Sequence, residues 1–203
     1  NKDSPIPHQK FSYSSHPLSK AASKSLTDLI DSLSQEQSVN QDLLLSLSFA
    51  LRSFTNLQRF LELIPLLVTQ LVGIQGSLLI PFQDNGSLWR EQLHMVPFDD
   101  DQDLIRQLFL LEEGMKTGFG MQEKNILMLD RLVQRHFESF NVIATSIVSR
   151  GRQRGRLYAF DKKEIDFGSN VHRKYIQMVA DLTGVAIEND VIFQVIRNHE
   201  KVD

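Results

Sequence analysis

The feature of this 203-residue chain that most constrains its fold is a short polar stretch, Asp84-Asn85-Gly86, set between two apolar segments. Asn and Gly tolerate the positive φ angles that a tight hairpin turn requires. Residues 77–82 form a short apolar run before the turn, and residues 88–96 return as the second strand after it. The sequence therefore predicts a β-hairpin, with two antiparallel strands that meet at the turn.

A second hairpin is indicated further along the chain. Residues 141–149 are β-branched and alternating, which favours a strand. Residues 156–160 provide the partner strand, across a loop that holds Gly151 and Gly155. Strands joined by hairpins form an antiparallel sheet, and the intervening helices collect on its faces. The predicted fold class is therefore α+β, an α/β sandwich closed by a long C-terminal helix.

The helices are predicted from apolar periodicity. Apolar residues recur at intervals of three or four between Leu43 and Leu71, which is the period of a helix. Pro65 predicts a kink or a restarted helix there, and Gly73 suits the C-terminal end. We interpret this stripe as core packing, with a dimer seam as the alternative. Three further helices are predicted over residues 102–111, 125–140 and 171–202.

Composition divides the chain into four regions. Residues 1–18 are rich in Ser and Pro and poor in apolar groups, so we expect a flexible arm. Residues 19–40 carry a helical pattern and form an N-terminal helical extension. Residues 41–190 form the main domain. Residues 191–203 begin a coiled-coil helix that leads to a further domain.

Charge and composition exclude several classes of function. A net charge of −3 is unlike the basic surfaces of proteins that bind nucleic acid or membrane surfaces. No apolar run approaches the roughly 20 residues needed to span a bilayer. Because the chain has no cysteine, disulfides, thiolate zinc sites and cysteine nucleophiles are excluded. This composition fits a reducing compartment, and we expect a cytoplasmic location.

Residue spacing predicts neither a metal site nor an active site. None of the six histidines shows the close His/Glu spacing of a hydrolytic zinc site. The Asp99-Asp100-Asp101 cluster lacks the Gly and the closing Glu of an EF-hand loop, so helix capping is the better interpretation. No Gly-x-Ser-x-Gly elbow marks a nucleophilic serine. We expect no metal, no catalytic residue and no enzymatic activity in this chain.

Three segments, in order, carry a resemblance to a known family. Residues 76–80 followed by Asn85-Gly86 resemble the first hairpin of a GAF domain. Residues 150–160 resemble the hairpin in which an Arg-Gly turn precedes a Gly-x-Leu strand, and residues 179–189 resemble the closing helix with its Ala-Ile-Glu-Asn ending. The likeness covers about residues 41–197. The chain most resembles the amino-terminal GAF domain of cyanobacterial SpoIIE-type or RsbU-type serine/threonine phosphatases.

The resemblance implies a sensory domain that binds a small molecule between the sheet and its connecting helices, or that simply dimerises. The connecting region, residues 99–140, is rich in Met and Phe and contains three glycines that allow its backbone to bend. A mobile apolar cover could close over a ligand, and a dry core is the alternative interpretation. The candidate pocket residues are Phe109, Met115, Phe119, Met121, Met128, Phe137 and Tyr158.

No cofactor is assigned with certainty. Family members that hold a bilin usually attach it through Cys, so the resemblance together with the lack of Cys excludes a covalent bilin. A loosely held chromophore or another small molecule stays open. Members that bind cyclic nucleotides carry an Asn-Lys…Phe…Asp-Glu signature, which the Asn125-Ile126 and Asp130-Arg131 pairs do not match.

Four arginines alternate in the second hairpin, at Arg150, Arg152, Arg154 and Arg156. Alternate residues of an extended strand share a face, so these guanidinium groups could converge on an anion. An anion or a partner carboxylate would also relieve the repulsion between four like charges. We predict contact with an acidic partner or with the downstream domain, and a solvated hairpin tip is the alternative.

The final helix has heptad spacing, which is typical of coiled coils. One stripe can pack on the sheet while another is offered to a partner. Apolar residues persist past Glu188, and pairing with a second chain would cover them. We predict a parallel homodimer, with a monomeric helix folded on its own domain as the alternative. The predicted dimer residues are Tyr175, Leu182, Asn189, Ile192, Phe193 and Ile196.

The resemblance implies that this helix transmits a signal to an output domain in cis, a metal-dependent serine/threonine protein phosphatase. Two alternatives stay open. The chain could be a ligand-free dimerisation module, or it could be a partner-binding module of another signalling protein, such as a histidine kinase or a cyclase.

Overall fold

The computed structural model describes residues 28, 57–97, 101–115, 118 and 120–200, and for residues 189–200 it describes the helix backbone alone. The predicted flexible arm, residues 1–18, lies outside the described residues. So does the predicted helical extension, residues 19–40, apart from Asp28, which is helical and exposed. The domain boundaries therefore stay predictions.

The described residues form antiparallel strands with helices between them, so the predicted α+β fold class is confirmed. All strand pairings among the described residues are antiparallel. In chain order the elements are α1 (Leu57–Val72), β1 (Gly76–Pro81), a 3-10 turn (Arg90–Gln92), β2 (His94–Val96), α2 (Gln102–Gly114), α3 (Glu123–His136), β3 (Phe140–Ser149), β4 (Arg152–Lys162) and α4 (Asn170–Glu200).

The sheet has the strand order β2-β1-β4-β3. β1 and β4 are its central strands and pair from Gly76 opposite Phe160 to Pro81 opposite Gly155. β3 and β4 form the second predicted hairpin, which is longer than the sequence indicates because β4 begins at Arg152. The two hairpins thus lie side by side, with β4 next to β1.

Alternation along the two central strands separates two apolar cores. Leu79 and Leu157 pack with α1 and α4 on one face of the sheet. Leu78 and Tyr158 pack with α2 and α3 on the other. Each fully buried Leu or Val contributes about 1.5–3 kcal/mol relative to an exposed one. The domain is consequently a three-layer sandwich, with a helix pair on each face of one sheet.

The first hairpin is confirmed, but its second strand differs from the prediction. Gly86 adopts a φ of 81°, and the turn closes through a backbone hydrogen bond from Gln83 to the Ser87 carbonyl at 2.8 Å. Instead of a continuous strand over residues 88–96, Leu88 forms a single bridge to Phe82, and pairing resumes only in β2. Between these two pairings, the returning chain contains more residues than the facing part of β1. The extra residues form the 3-10 turn.

Helix α1 runs without interruption through Pro65, so no helix restarts there, and the alternative of a kink stays a prediction. The helix ends where the sequence indicates, because Gly73 adopts a φ of 71°, and its N–H bonds to the Thr69 carbonyl at 2.9 Å.

Helix α3 ends at His136, earlier than predicted, and Phe140 is already the first residue of β3. Helix α2 extends three residues further than predicted.

Helix α4 lies close against the sheet at one point. A Cβ added to Gly184 would lie 2.8 Å from the Val148 carbonyl oxygen of β3, which is closer than real Cβ contacts. Only glycine therefore allows the helix to approach the strand this closely. None of the helices within the described residues is both long enough and apolar enough to cross a membrane.

Asp101 caps helix α2, as predicted from the aspartate cluster. Its Oδ1 accepts a hydrogen bond from the Leu104 N–H at 3.0 Å, and its Oδ2 lies 2.7 Å from His136 Nε2 at the end of α3. Burial alone would raise the pKa of Asp101, but the backbone N–H of Leu104 and the His136 imidazole outweigh it, so this pKa is lowered. One carboxylate thus joins both connecting helices.

Replacing Asp101 with alanine should lower the free energy of unfolding by about 1–2 kcal/mol, the usual cost of losing an N-cap. Because the folded pKa is depressed, this stabilisation is present above the unfolded pKa of about 3.9 and is lost as the pH falls through the folded pKa. Urea unfolding of both proteins at neutral and acidic pH would measure this. A difference that grows as the pH falls below about 4 would contradict the role of the ionised carboxylate.

Candidate functional site

The arginines of the second hairpin are arranged by a β-bulge. Val148 pairs with Gln153 and Ile147 pairs with Gly155, so Arg154 is an extra residue without a partner in β3. A bulge interrupts the alternation of side chains along a strand. It turns Arg154 to the α4 side of the sheet, whereas Arg156 faces α3.

Arg154 is buried and holds three elements together. Its side chain is 5% exposed, and Nη1 donates to Asp84 Oδ1 at 2.7 Å. Nη2 donates to Glu188 Oε2 on α4, and the Glu188 side chain is 11% exposed. Asp84 belongs to the turn after β1. One guanidinium therefore connects the first hairpin, β4 and the final helix.

Arg156 forms a second, partly buried ion pair on the opposite face of the sheet. Its Nη2 and Nε donate to Asp130 Oδ2 and Oδ1 of α3 at 2.6 and 3.1 Å. Tyr158 donates its hydroxyl to the same Oδ1 at 2.6 Å, and Ser146 accepts from Arg156 Nη1 at 2.5 Å. This two-point pairing of guanidinium and carboxylate is the strongest geometry available to such groups.

The electrostatics of this cluster keep Arg156 charged and Tyr158 neutral. Burial would lower the pKa of Arg156, but the hydrogen bonds and the charge of Asp130 outweigh it and raise that pKa. Burial, and then the negative charge of Asp130, raise the pKa of Tyr158 far above its ordinary range. Tyr158 therefore remains a neutral hydrogen-bond donor at any physiological pH.

The expectation that the four arginines share one face is wrong. Arg154 and Arg156 point to opposite faces, and carboxylates of the same chain satisfy their charges. Arg150 and Arg152 are exposed at the hairpin tip, where Arg152 lies 3.5 Å from Asp84. Arg150 has a φ of 51° beside Gly151, which makes the turn tight. Contact of this tip with an anion or an acidic partner stays a prediction.

The structure does not bring the six candidate pocket residues that it describes into one pocket. Met115, Phe137 and Tyr158 are buried, and Phe137 stacks on Phe160 with 4.5 Å between ring centroids. This packing occupies the space between the sheet and the connecting helices. The remaining four differ in placement: Phe109 is exposed beneath the Arg90 guanidinium, Met121 and Met128 are half-buried, and Phe119 lies outside the described residues.

A groove lies on the outer side of the connecting helices, between α2 and α3. It has a volume of about 470 Å³. Its apolar lining consists of Leu110, Leu111, Met128 and Leu132, and its polar lining consists of Gln107, Arg131 and Arg135. Met128, one of the predicted pocket residues, therefore faces this groove.

Two of the predicted dimer residues pack inside the chain itself. Tyr175 and Leu182 are 9% and 2% exposed and belong to the core between α1, α4 and the sheet. Their placement at a dimer seam is therefore corrected. The other four, Asn189, Ile192, Phe193 and Ile196, have side chains outside the described part of the chain, although the backbone of α4 continues to Glu200.

Sequence reasoning missed the carboxylates that pair with the buried arginines. Asp130 lies four residues after Ile126 and three before Val133, so it falls on the buried stripe of α3. A carboxylate at such a position requires a buried cation or donor. Gly155 within an arginine-rich strand was the corresponding signal for the bulge.

Within the described residues, no group of three His, Asp or Glu side chains could hold a metal ion.

Comparisons with known proteins give structural likeness only. No protein-family model and no curated protein matches the chain. The GAF domain from Acinetobacter phosphoenolpyruvate-protein phosphotransferase is 11% identical, with 86% of this chain and 97% of that chain covered and a TM-score of 0.44. The chromophore-binding domain of Stigmatella aurantiaca bacteriophytochrome is 11% identical, with 84% and 62% covered and a TM-score of 0.38. Neither likeness says what this chain binds.

Proposed function

We propose that this chain is a non-catalytic sensory or regulatory domain of the GAF type. The observation that carries the proposal is the pair of ion-paired arginines on β4. One binds a carboxylate of connecting helix α3, and the other binds a carboxylate of final helix α4. The two faces of the sheet are thus joined through two neighbouring positions of one strand.

The route for a signal follows from this connection. A ligand or partner that shifts α3 displaces Asp130, and Asp130 holds the Arg156 guanidinium at two points. Because buried ion pairs lose much of their energy when the geometry fails, β4 must follow or the pair must break. Arg154, two residues away, then acts on Glu188. Movement of α3 is therefore coupled to the part of α4 that continues towards residue 200.

In this proposal α4 pairs with its copy in a homodimer and carries the signal to an output domain in cis. The resemblance of the sequence supports a metal-dependent serine/threonine protein phosphatase as that output. The alternative is a ligand-free dimerisation or partner-binding module of a histidine kinase or cyclase. Supporting the dimer, the apolar spacing continues past Glu188 in a helix that extends to Glu200.

Hydrogen exchange of the Asp130→Asn variant tests the proposed connection. The substitution keeps the shape of the side chain but removes the charge that holds Arg156. Amide exchange around residue 188 of α4 should become faster than in the unmodified chain, although Asp130 does not touch that helix. Mass-spectrometric exchange measured on the 203-residue chain would report this.

The matched control is Asp101→Ala, which weakens the same helix pair without touching either arginine. This variant should speed amide exchange in α2 and α3. Amide exchange in α4 should change only as much as the lower global stability of the variant requires. Equal exchange of α4 in the two variants would rule out a specific connection through β4.

Sedimentation distinguishes the proposed dimer from the monomeric alternative. We expect the chain to sediment as a dimer at tens of micromolar, because the continued apolar stripe of α4 needs a partner. Replacing Ile192 and Phe193 with serine should give a monomer with an unchanged circular dichroism spectrum. A monomer in the unmodified chain would remove the homodimer from the proposal.

A further inference from the structure

The connecting helices carry more apolar surface than the sheet requires. Leu108 of α2 and Leu129 of α3 are buried against the sheet, as amphipathic helices demand. On the opposite side, Leu110 is 60% exposed and Leu127 is 55% exposed. The groove defined above lies between these two helices on that outer side. Within the groove lining, Leu111 and Leu132 pack partly against the core, whereas Leu110 is left exposed.

The edge of this groove is basic. Arg131 and Arg135 are one helical turn apart on α3, both are exposed, and both line the groove. Among the described residues neither forms an ion pair, in contrast to Arg154 and Arg156 nearby in the sequence. Because the chain as a whole has a net charge of −3, this pair is a local positive feature.

We propose that the α2–α3 groove binds an amphipathic helix whose apolar face is flanked by acidic residues. An apolar groove between two helices is the usual receptor for the apolar face of a third. The two arginines provide complementary charge for carboxylates at the side of that helix. The occupant would cover Leu110 and pair the guanidinium groups of Arg131 and Arg135.

The geometry favours a helix over other occupants. A small molecule is normally enclosed over most of its surface. This groove is open to one side, and its apolar lining includes the exposed Leu110. A second copy of the same face would bring two more arginines and no carboxylate from the groove lining, because a two-fold contact joins the same patch of both chains. Like charges in that position repel.

A pair of designed peptides tests this proposal on the 203-residue chain. Both have about five helical turns with leucines at the spacing of an apolar stripe, and they differ only in carrying glutamate or lysine beside it. Fluorescence anisotropy should show that the glutamate peptide binds at least tenfold more tightly than the lysine peptide. The preference should weaken at high salt, because exposed charges are screened.

A charge reversal provides the decisive variant. The double variant Arg131→Glu and Arg135→Glu should lose the glutamate peptide and gain the lysine peptide, which is an outcome that misfolding cannot produce. The matched control, Arg59→Glu with Lys174→Glu, makes the same charge change on the other face of the sheet and should keep the original preference. Failure of both peptides to bind, or equal binding of both, would overturn the proposal.

The consequence for signalling rests on the proposed function, and the two can fail separately. Binding of the glutamate peptide should slow hydrogen exchange in α2 and α3 in any case. If it also changes exchange around residue 188, the groove is the input of the proposed route. If the peptide binds and α4 does not respond, the groove is a docking site and the connection through β4 is wrong.

Discussion

Replacing Arg154 with alanine should lower the free energy of unfolding by about 3–5 kcal/mol, the largest effect expected from any single substitution outside the apolar cores. The cost arises because Glu188 is left as a buried carboxylate without its cation. Asp84 is half exposed and can be solvated, so it contributes less. Urea denaturation followed by circular dichroism would measure the change from the shift of the midpoint.

Two further variants separate charge pairing from simple loss of packing. Arg152→Ala removes a neighbouring, 59% exposed arginine that approaches the same Asp84, and it should change stability by no more than about 0.5 kcal/mol. The double variant Arg154→Met and Glu188→Leu removes both charges and keeps the volume. It should recover most of the loss, as apolar replacement of buried ion pairs often does. If the double variant is no more stable than Arg154→Ala, the unpaired buried charge of Glu188 is not the cause of the lost stability.

This pair of substitutions also bears on function. A domain that only needed stability would be served equally well by the apolar double variant, since packed apolar groups are at least as stabilising as a buried ion pair. A connection that must respond to displacement depends on directional hydrogen bonds instead. The stable double variant is therefore the protein in which loss of coupling to α4 can be examined without loss of the fold.

The sequence predicted those parts of the fold that depend on local chemistry. The Asn85-Gly86 turn, the stop at Gly73 and the cap at Asp101 each satisfy a backbone requirement within a few residues. The antiparallel sheet follows from the two hairpins. The strand order, with β4 beside β1, is a tertiary feature that no local signal gives.

The shared face predicted for the arginines was wrong, and the choice between a ligand pocket and a dry core was left open, for physical reasons. The face of Arg154 depends on a bulge, and a bulge is defined by pairing with β3, which alternation within one strand does not reveal. Core and pocket residues have the same apolar composition, so spacing could not separate Phe137, which is buried, from Phe109, which is exposed. Asp130 was predictable in principle, because it stands on an apolar helix stripe.

The Asp130–Arg156–Tyr158 cluster leads to the second large prediction. Asp130→Ala should lower the free energy of unfolding by about 1.5–3 kcal/mol, because it removes the charged hydrogen bonds of the partly buried Arg156. It also leaves the Tyr158 hydroxyl without its acceptor. Urea denaturation is again the measurement. The neighbouring Arg131→Ala, which removes an exposed and unpaired side chain, is the control and should change stability by no more than about 0.5 kcal/mol.

A double-mutant cycle then asks whether the two ion pairs act together. Asp130 and Glu188 lie on opposite faces of the sheet and share no direct contact, so the effects of independent substitutions should add to within about 0.5 kcal/mol. The connection through β4 predicts a larger coupling between Asp130→Asn and Glu188→Gln, because loosening either arginine allows the strand between them to relax. Additive effects would mean that the two arginines stabilise their own faces separately, and that β4 does not carry a signal between α3 and α4.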